Sequence, residues 1–395
     1  MQNPFIFGAE LEPGQLVDRE EEVRQVVGAL TGRQKLFLIG PRRFGKTSIL
    51  NVAESRAREQ GAMILRHDAE AYPTYEDLVS AIVANAARQL TSLAAKAGEQ
   101  VVKLFSALRP KVTYDGSSNT WTAGIGLGET HKGEPQQLLV DALDGVARMA
   151  ESLERPVAVI IDEFQHLVEN GGAAVERQLR ATIQRHTQVA YVFAGSKTSL
   201  LNDMTLNPAR PFYRLGGRLF LGPVPRDDFG KAIRRGFAKA KFTVDDAAVE
   251  RIFDLAEDVP YNVQALANMA WETVRADGRQ ERLTVAVVER ALDRLVAQDG
   301  PFYSKLWNLC TQTQQRALIA VAAMHGRGLH GAEVLQRFRM VASTMTKSLA
   351  ALESRDIIRR EDAFEDTRWK LEDPFFAVWL VKVGAISSGR QPPLA

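Results

Sequence analysis

The sequence contains very little cysteine and has almost no net charge. Cys310 is the single cysteine among 395 residues, so an intramolecular disulfide and a cysteine-based zinc cluster are both excluded. Fifty Lys or Arg residues nearly balance 48 Asp or Glu residues, which leaves a formal net charge of +2. Because this charge gives no argument for nucleic acid or a membrane surface, any such partner must be argued from a local patch.

Long apolar runs and targeting signals are also missing. No segment approaches the roughly 20 apolar residues that are needed to cross a bilayer. The N-terminal segment "MQNPFIFGAELEPG" lacks the basic and apolar regions of a signal peptide, and the six histidines show no metal-ligand spacing. Together with the single cysteine, these absences predict a cytoplasmic protein without a membrane partner.

What is present is an ordinary globular composition in a chain long enough for two or three domains. Up to about residue 224, helical patterns alternate with short β-type runs, which are "KLFLIG", "AMILRHDAE", "PVAVIIDEF", "VAYVFAGS" and "RLFLGPV". This alternation predicts an α/β fold with a mostly parallel sheet and helices on both faces. Residues 111–129 interrupt it with a predicted hairpin, which could be an interaction finger or ordinary edge-strand material.

The second half of the chain changes character twice. Residues 226–298 have helical patterns throughout, which predicts a small helical domain. From Pro301 onward, three short helices and two short strands follow, the layout of a winged helix-turn-helix, and "LEDPFFAVWL" carries core-type residues at helical spacing. The predicted domains are therefore residues 1–224, 225–300 and 301–395.

A phosphate-binding loop follows the first predicted strand. Residues 40–47 fit the pattern G-x-x-x-x-G-K-[ST], between a strand and a helix as the mechanism requires. Backbone N–H groups of such a loop surround the phosphates, Lys46 would reach the β- and γ-phosphates, and the Thr47 hydroxyl would bind Mg²⁺. The predicted nucleotide contacts are Gly40, Pro41, Arg42, Arg43, Phe44, Gly45, Lys46, Thr47 and Ser48.

Two adjacent carboxylates end a later apolar strand. In "VAVIIDEF", Asp162 would hold Mg²⁺ directly or through water, and Glu163 would act as the general base toward the attacking water. A strand that ends in an exposed acidic turn is the alternative interpretation. The pair favours a hydrolytic ATPase over a protein that only binds nucleotide.

Polar residues after two further strands could complete the site. Ser196 is the candidate sensor of the γ-phosphate, with a helix N-cap as its structural alternative, and Lys197 is the weaker candidate. Arg210, Arg214 and Arg218 precede the last predicted strand, where a rim arginine could reach a phosphate in a neighbouring subunit. Arg214 is the preferred choice, and solvated surface charge is the alternative for each of the three.

Seven segments together resemble the archaeal-type AAA+/STAND ATPases, which are P-loop ATPases of archaea and bacteria. The segments are "NPFIFGAELEPGQLVDREEEV", "GPRRFGKTS", "IIDEFQHL", "FAGSK", "PFYRLGGRLFLGP", "VPYNVQALANMAWE" and "LEDPFFAVWL". Their order is also similar to that of origin-recognition initiators and transposition-regulator ATPases. The resemblance covers nearly the whole chain and implies a P-loop NTPase (AAA+/ASCE) core, a helical lid and a C-terminal winged helix-turn-helix. It further implies adenine contacts at Val17 and Asp18, and packing of the lid residue Pro260 on the nucleotide.

The lid departs from the family pattern at two points. Val259 follows Asp258 where the pattern usually has a glycine, and "VPYNVQAL" lacks the arginine that initiator-type ATPases place on the γ-phosphate. These departures favour a switch-type ATPase over an initiator. Asn262 and Gln264 could contact ligand, but we interpret them as polar residues on a helix surface.

The winged helix is the candidate site for double-stranded DNA. Residues 301–395 hold thirteen Lys or Arg and nine Asp or Glu, a mild positive balance. Polar and basic residues on the recognition helix and wing strands could meet phosphates and base edges, and the candidates are Thr344, Lys347, Arg359, Arg360 and Arg368. The acidic wing tip "EDAFED" argues against DNA, and a domain that contacts protein or clamps the core is the alternative.

Three functions remain open from the sequence. The preferred hypothesis is a switch that binds and hydrolyses ATP with Mg²⁺ and whose nucleotide state controls the winged helix, self-assembly or a protein partner. The second is a DNA-binding AAA+ ATPase that oligomerises on DNA. The third is an interaction scaffold that holds ADP with little turnover.

Overall fold

The computed structural model describes residues 2–8, 16, 19–91, 97–115, 117–118, 120–126, 135–277, 281–363 and 366–384. The chain divides into two compact units. One unit is Glu10–Gly222, and the other combines Met1–Ala9 with Pro223–Ala395. None of the helices in this described part is long and apolar enough to span a bilayer.

The first unit alternates helices and strands. In chain order its elements are α1 (Glu20–Thr31), β1 (Lys35–Ile39), α2 (Lys46–Glu59), β2 (Met63–Asp68), α3 (Tyr75–Thr91), α4 (Ala97–Leu104), β3 (Lys111–Asp115), β4 (Thr120–Gly124), α5 (Pro135–Ser152), β5 (Val157–Asp162), α6 (Gln165–Arg185), β6 (Val189–Gly195), α7 (Thr198–Leu206) and β7 (Gly217–Phe220). Helix α6 is interrupted at Gly172, whose backbone is not helical.

Five of these strands form one parallel sheet in the order β2-β5-β6-β1-β7. Every residue of β5 and β6 is buried, as expected for strands covered on both faces. The prediction of a parallel α/β sheet is confirmed. From β1 the chain passes to β2 at one edge of the sheet and then returns toward β1 through β5 and β6. Strand β7 is added on the other side of β1. The direction in which successive strands are added therefore reverses beside β1. Parallel sheets bind ligands at the carboxyl ends of the strands beside such a point.

An aromatic cluster supports this edge of the sheet. Phe37 on β1, Phe193 on β6, Phe164 in the turn after β5 and Phe212 before β7 are each at most 1% exposed. Their ring centroids lie between 4.5 and 6.4 Å apart, in the tilted and edge-to-face arrangements that aromatic pairs prefer. The cluster therefore fixes two loops that leave the carboxyl edge, the one after β5 and the one before β7.

Strands β3 and β4 form the predicted hairpin. They pair antiparallel, with Tyr114 opposite Trp121 and their ring centroids 5.0 Å apart. Val112, Trp121 and Ala123 pack against the hydrophobic core of the unit. One face of the hairpin is thus attached to the core, and its function as finger or edge material stays a prediction.

The second unit is mainly helical. Its elements are α8 (Arg226–Lys239), β8 (Thr243–Val244), α9 (Asp246–Ala256), α10 (Pro260–Asp277), β9 (Arg282–Leu283), α11 (Val285–Asn308), α12 (Gln312–Ala323), α13 (Ala332–Arg337), α14 (Ala342–Ser354), β10 (Ile358–Ala363), β11 (Asp366–Leu371) and α15 (Pro374–Trp379). Helices α12 to α14 followed by the antiparallel pair β10–β11 form the expected winged helix-turn-helix.

Two features of this unit differ from the sequence-based expectation. The segment 226–298 is not helical throughout, because β8 and β9 pair in parallel; each has only two residues, too few to show a strand pattern. Helix α11 continues through Pro301, where the lid was expected to end. Leu295 and Tyr303 are buried on either side of this proline, so packing holds the helix together despite the backbone hydrogen bond that proline removes.

The first residues of the chain pack on helices α8 and α10. Phe5 is buried, with its ring centroid 5.3 Å from that of Phe237, and the Asn268 Nδ2 donates to the Phe5 carbonyl at 2.6 Å. A Cβ on Gly236 would lie 2.6 Å from the Phe5 ring, so this position requires glycine. The predicted division of the chain assigned these residues to the ATPase core.

Candidate functional site

The loop between β1 and α2 has the backbone shape of a phosphate cradle. Gly45 has φ 87° and caps the N-terminus of α2, and Arg43 also adopts a positive φ of 70°. A Cβ on Gly40 would lie 2.8 Å from the Cβ of Leu221, so glycine is needed where the loop passes the end of β7. These conformations direct the start of α2, with its favourable dipole, toward the carboxyl edge of the sheet.

Lys46 is the first residue of α2 and lies inside this loop. Its side chain is buried, and Nζ donates to the carbonyl oxygens of Gly40 at 2.9 Å and Pro41 at 3.1 Å. Phe44 is buried and anchors the loop, whereas Arg42 and Thr47 are exposed and Ser48 is half-buried. The loop thus presents one enclosed ammonium group beside exposed polar side chains.

Asp162 ends strand β5, next to the end of β2. It is 6% exposed, and its Oδ2 lies 3.2 Å from a guanidinium nitrogen of Arg66 on β2. The Glu163 N–H donates to Asp162 Oδ1 at 3.1 Å. Burial raises the pKa of the Asp162 carboxyl, and the neighbouring Arg66 charge only partly opposes this effect. Arg66 therefore contributes a compensating positive charge to the site.

Glu163 turns toward the end of the neighbouring strand β6. Its backbone has φ 47°, an uncommon conformation for a residue other than glycine. Its Oε2 accepts hydrogen bonds from the Ser196 Oγ at 2.8 Å, from the Ser196 N–H at 3.3 Å and from the Gln165 amide. Burial acts to raise the pKa of the Glu163 carboxyl, but the Lys46 charge and these hydrogen bonds outweigh it and lower that pKa. Glu163 is thus held as a carboxylate.

The structure separates the two sensor candidates. Ser196 contacts Glu163, and the N-cap of α7 is Lys197, so Ser196 is not the cap that we considered as its alternative. The Lys197 Nζ instead pairs with Glu169 at 2.7 Å. Of the two, Ser196 is the residue that shares contacts with the carboxylate pair.

Two residues of this cluster were missed from the sequence. Gln165, the first residue of α6, is fully buried and bonds to Glu163 and Ser196. Arg66 also contacts the Asn51 side chain and lies 3.6 Å from Glu54. The sequence could have indicated both residues. A polar or charged side chain within or beside a buried strand needs a polar partner, which directs attention to Arg66 and Gln165.

The three rim arginines have different surroundings. Arg210 forms a two-pronged pair with Glu176, at 3.2 and 2.7 Å, and also contacts Asp203 at 2.9 Å. Since Glu176 is 1% exposed, Arg210 stabilises the fold. Arg218 donates to the carbonyl of Thr205.

Arg214, like Arg218, faces solvent. It is exposed, has φ 54°, and its guanidinium lies over the Tyr213 ring, 5.1 Å from the centroid. It forms no ion pair with any residue in the described ranges. Arg214 therefore remains the candidate for a contact with another subunit.

The remaining nucleotide candidates lie elsewhere. Val17 and Asp18 fall outside the described residues. Pro260 begins α10 in the second unit and is half-buried. Asn262 is 1% exposed, and neither of its amide atoms has a hydrogen-bond partner in the described structure. The interpretation of Asn262 as a surface residue is therefore wrong.

The basic residues of the wing are largely engaged within their own unit. Arg359 is 7% exposed and lies 3.4 Å from both Glu361 and Glu372. Lys370 pairs with Glu361 at 3.2 Å and with Glu257, at the end of α9, at 3.4 Å. The position of Arg359 gives no support to its predicted role in DNA contact.

The other predicted DNA contacts are more accessible. Arg368 donates through Nε to the His325 carbonyl at 2.9 Å and is half-buried, as is Thr344. Arg360 and Lys347 are exposed. Lys347 is therefore the accessible basic residue on the recognition helix α14.

Two basic residues that were not selected from the sequence lie at the end of α13 and in the turn after it, and the predicted Lys347 follows on α14. We call Arg337, Arg339 and Lys347 the turn surface. All three are exposed, and none forms an ion pair within the described part of the chain. Arg339 has φ 52°, and its carbonyl accepts a hydrogen bond from Arg316 at 3.3 Å.

The fold and the geometry of the site define the class to which the protein belongs. It has an AAA+ P-loop ATPase fold followed by a C-terminal winged helix. The model of the AAA ATPase domain matches residues 15–193, and that of a probable winged helix domain matches residues 301–382. The chain thus combines an AAA ATPase domain with a winged helix domain. No curated protein matches the sequence.

Similarity to solved structures extends over nearly the whole chain. A Walker-type ATPase of Pyrococcus abyssi is 18% identical with a TM-score of 0.61, covering 95% of this chain and 99% of its own. The Aeropyrum pernix ORC1 protein in complex with DNA is 15% identical with a TM-score of 0.49, covering 95% of both chains. The Thermotoga maritima RuvB Holliday junction branch migration motor is 15% identical with a TM-score of 0.45, covering 93% and 96%.

Proposed function

We propose that the protein binds ATP and hydrolyses it with Mg²⁺ at the carboxyl edge of the core sheet. The observation that carries this proposal is the cluster in which Glu163 is bonded to Ser196 and stabilised as a carboxylate by the Lys46 charge. Lys46 and the loop backbone would hold the phosphates. Glu163 would orient a water and accept its proton.

The residues present fit a magnesium ion. Asp162 and Thr47 offer a carboxylate and a hydroxyl, the hard oxygen ligands that Mg²⁺ prefers. When bound, Mg²⁺ neutralises charge on the β- and γ-phosphates. Asp162 would hold the ion directly or through water, and Arg66, 3.2 Å away, balances its charge.

The substitution Glu163→Gln tests hydrolysis. We expect ATP turnover to fall by about 100-fold or more, because a general base contributes this much, while ATP binding is retained. Glu169→Gln is the matched control, since Glu169 lies on α6 but pairs with Lys197. Equal turnover in wild type and Glu163→Gln would support the ADP-holding scaffold instead.

The nucleotide state would act as a switch on the winged helix. The helical lid and the winged helix belong to one compact unit and share α11. The Lys370–Glu257 pair and the hydrogen bond from Tyr303 on α11 to Asp373 add further connections. A lid that responded to nucleotide would therefore carry the winged helix with it and alter self-assembly or partner binding.

Limited proteolysis and hydrodynamic size test the switch. We expect both to differ between the nucleotide-free, ADP-bound and ATP-analogue-bound protein. Glu163→Gln with ATP should reproduce the analogue-bound pattern, since it binds without turnover. An identical size and cleavage pattern in all three states argues against the switch.

Duplex DNA is the second candidate function, favoured by the turn surface. Its three basic side chains are exposed and form no ion pair with the residues that the structure describes, a distribution that suits a phosphate backbone. We expect duplex binding that weakens steeply with salt, and stimulation of ATP turnover by DNA. Turnover measured with and without duplex at two salt concentrations separates this function from a switch that acts on protein partners.

A further inference from the structure

The side chain of Gln165 joins the two polar groups that end β5 and β6. We propose that Gln165 is a positioning residue for hydrolysis, which anchors one oxygen of the Glu163 carboxylate so that the other faces the attacking water. This inference rests on the proposed ATPase function. Gln165 belongs to neither the phosphate loop nor the carboxylate pair.

The local backbone brings the three side chains together. Glu163 adopts its left-handed conformation in the turn after β5, and Phe164 is held by the aromatic cluster and by its N–H, which donates to the Ala194 carbonyl at 2.9 Å. A Cβ on residue 195 would lie 2.2 Å from Gln165 Oε1, so Gly195 makes room for the amide. The close fit fixes the position of Gln165 against the end of β6.

The side-chain amide of Gln165 is buried and is held by hydrogen bonds from Nε2. Gln165 is fully buried, its Nε2 donates to Glu163 and to Ser196 Oγ, and its Oε1 has no partner in the described structure. An unsatisfied buried carbonyl is costly. The Gln165 side chain therefore keeps its two Nε2 hydrogen bonds, including the one to the Glu163 carboxylate, while its Oε1 lacks a described partner.

The hydrogen bonds fall on one side of the carboxylate. Gln165 and Ser196 donate three hydrogen bonds to Oε2, whereas no described residue donates to Oε1. Oε1 is thus the oxygen left to accept a hydrogen bond and then a proton from water.

Gln165→Met tests the anchor, because methionine has a similar length but no N–H donor. We expect kcat to fall by about 10- to 100-fold, less than the about 100- to 10,000-fold that a general base contributes, because the base is misplaced and not removed. The affinity for a fluorescent ATP analogue should stay within about twofold, since the phosphate contacts remain. Gln178→Met is the control on the same helix and should leave both kcat and the nucleotide affinity unchanged.

Ser196→Ala removes the hydroxyl that donates to the same oxygen, Oε2, and should also lower kcat while nucleotide affinity is retained. Wild-type kcat in both variants, while Glu163→Gln still abolishes turnover, overturns the anchor and leaves the ATPase proposal standing. Equal losses of nucleotide affinity and kcat in Gln165→Met would also overturn it, since they indicate a structural role. A wild type that binds ATP without hydrolysing it overturns both the anchor and the ATPase proposal.

Discussion

The carboxyl edge of the core sheet and the wing of the C-terminal domain differ in how their predicted residues are arranged. At the sheet edge, Glu163 contacts the predicted sensor Ser196 and is stabilised by the Lys46 charge. In the wing, Arg359 is buried between two glutamates and Lys370 pairs with the lid residue Glu257. One region gathers the residues chosen from the sequence, and the other buries one of them, Arg359.

The difference lies in what each prediction used. The spacing of the phosphate loop specifies a backbone conformation, with glycine at residues 40 and 45, and that conformation fixes where Lys46 points. A count of basic residues specifies no direction. Because Glu361 and Glu372 lie within reach of Arg359, its charge is satisfied inside the domain.

Lys46→Met should have the largest effect on the sheet-edge site. We expect turnover to fall below detection and ATP affinity to fall at least about tenfold, because the phosphates lose their buried positive charge. Isothermal titration and a phosphate-release assay measure both. Lys35→Met is the control, since Lys35 begins β1, the strand that leads into the phosphate loop, but donates to the His186 carbonyl at the opposite end of the sheet. Similar losses of ATP affinity in the two variants would contradict the assignment of the site.

Arg210→Met should have the next largest effect, on stability. Removing this side chain leaves Glu176, 1% exposed, without its two-pronged partner, and breaking such a pair costs about 3 kcal/mol of unfolding free energy. Arg214→Met is the matched variant four residues away and should change stability by less than about 0.5 kcal/mol. Urea denaturation measures both.

The same two variants also distinguish the roles of Arg210 and Arg214 in hydrolysis. If Arg214 acts on a neighbouring subunit, Arg214→Met loses turnover and keeps ATP binding, since only transition-state charge is affected. A larger loss of stability in Arg214→Met than in Arg210→Met would reverse the assignment of the two arginines.

The sequence predicts much of the fold because the strands of the core are buried on both faces. Continuous apolar runs such as "VAVII" and "VAYVFA" can hardly be accommodated elsewhere, and glycine, lysine and acidic residues mark the strand ends. The lid boundary at Pro301 was less predictable. Burial of Leu295 and Tyr303 keeps α11 continuous there, and this tertiary packing is not visible in a local pattern.

The motif residues of the candidate site could be predicted from the sequence. Their partners Gln165 and Arg66 were harder to predict. Gln165 reaches Glu163 only because Glu163 adopts a positive φ and Gly195 leaves space for the amide. Arg66 meets Asp162 because β2 pairs with β5 in a particular register, with Asp68 opposite Asp162. Strand order and register are long-range properties, so neither contact follows from local spacing.

Arg339→Gly should have the smallest effect and sharpens the comparison within the winged helix. Glycine accepts the φ of 52° without steric cost, so the substitution removes the charge and leaves the turn intact. If the turn surface contacts duplex DNA, affinity falls modestly and the slope of log affinity against log salt decreases by about one. Arg359→Gln should show the opposite behaviour, with lower stability but an unchanged salt slope, because Arg359 is buried. A salt slope that decreases in Arg359→Gln and stays unchanged in Arg339→Gly would contradict this assignment. It would instead support a DNA contact through the basic residues of the wing.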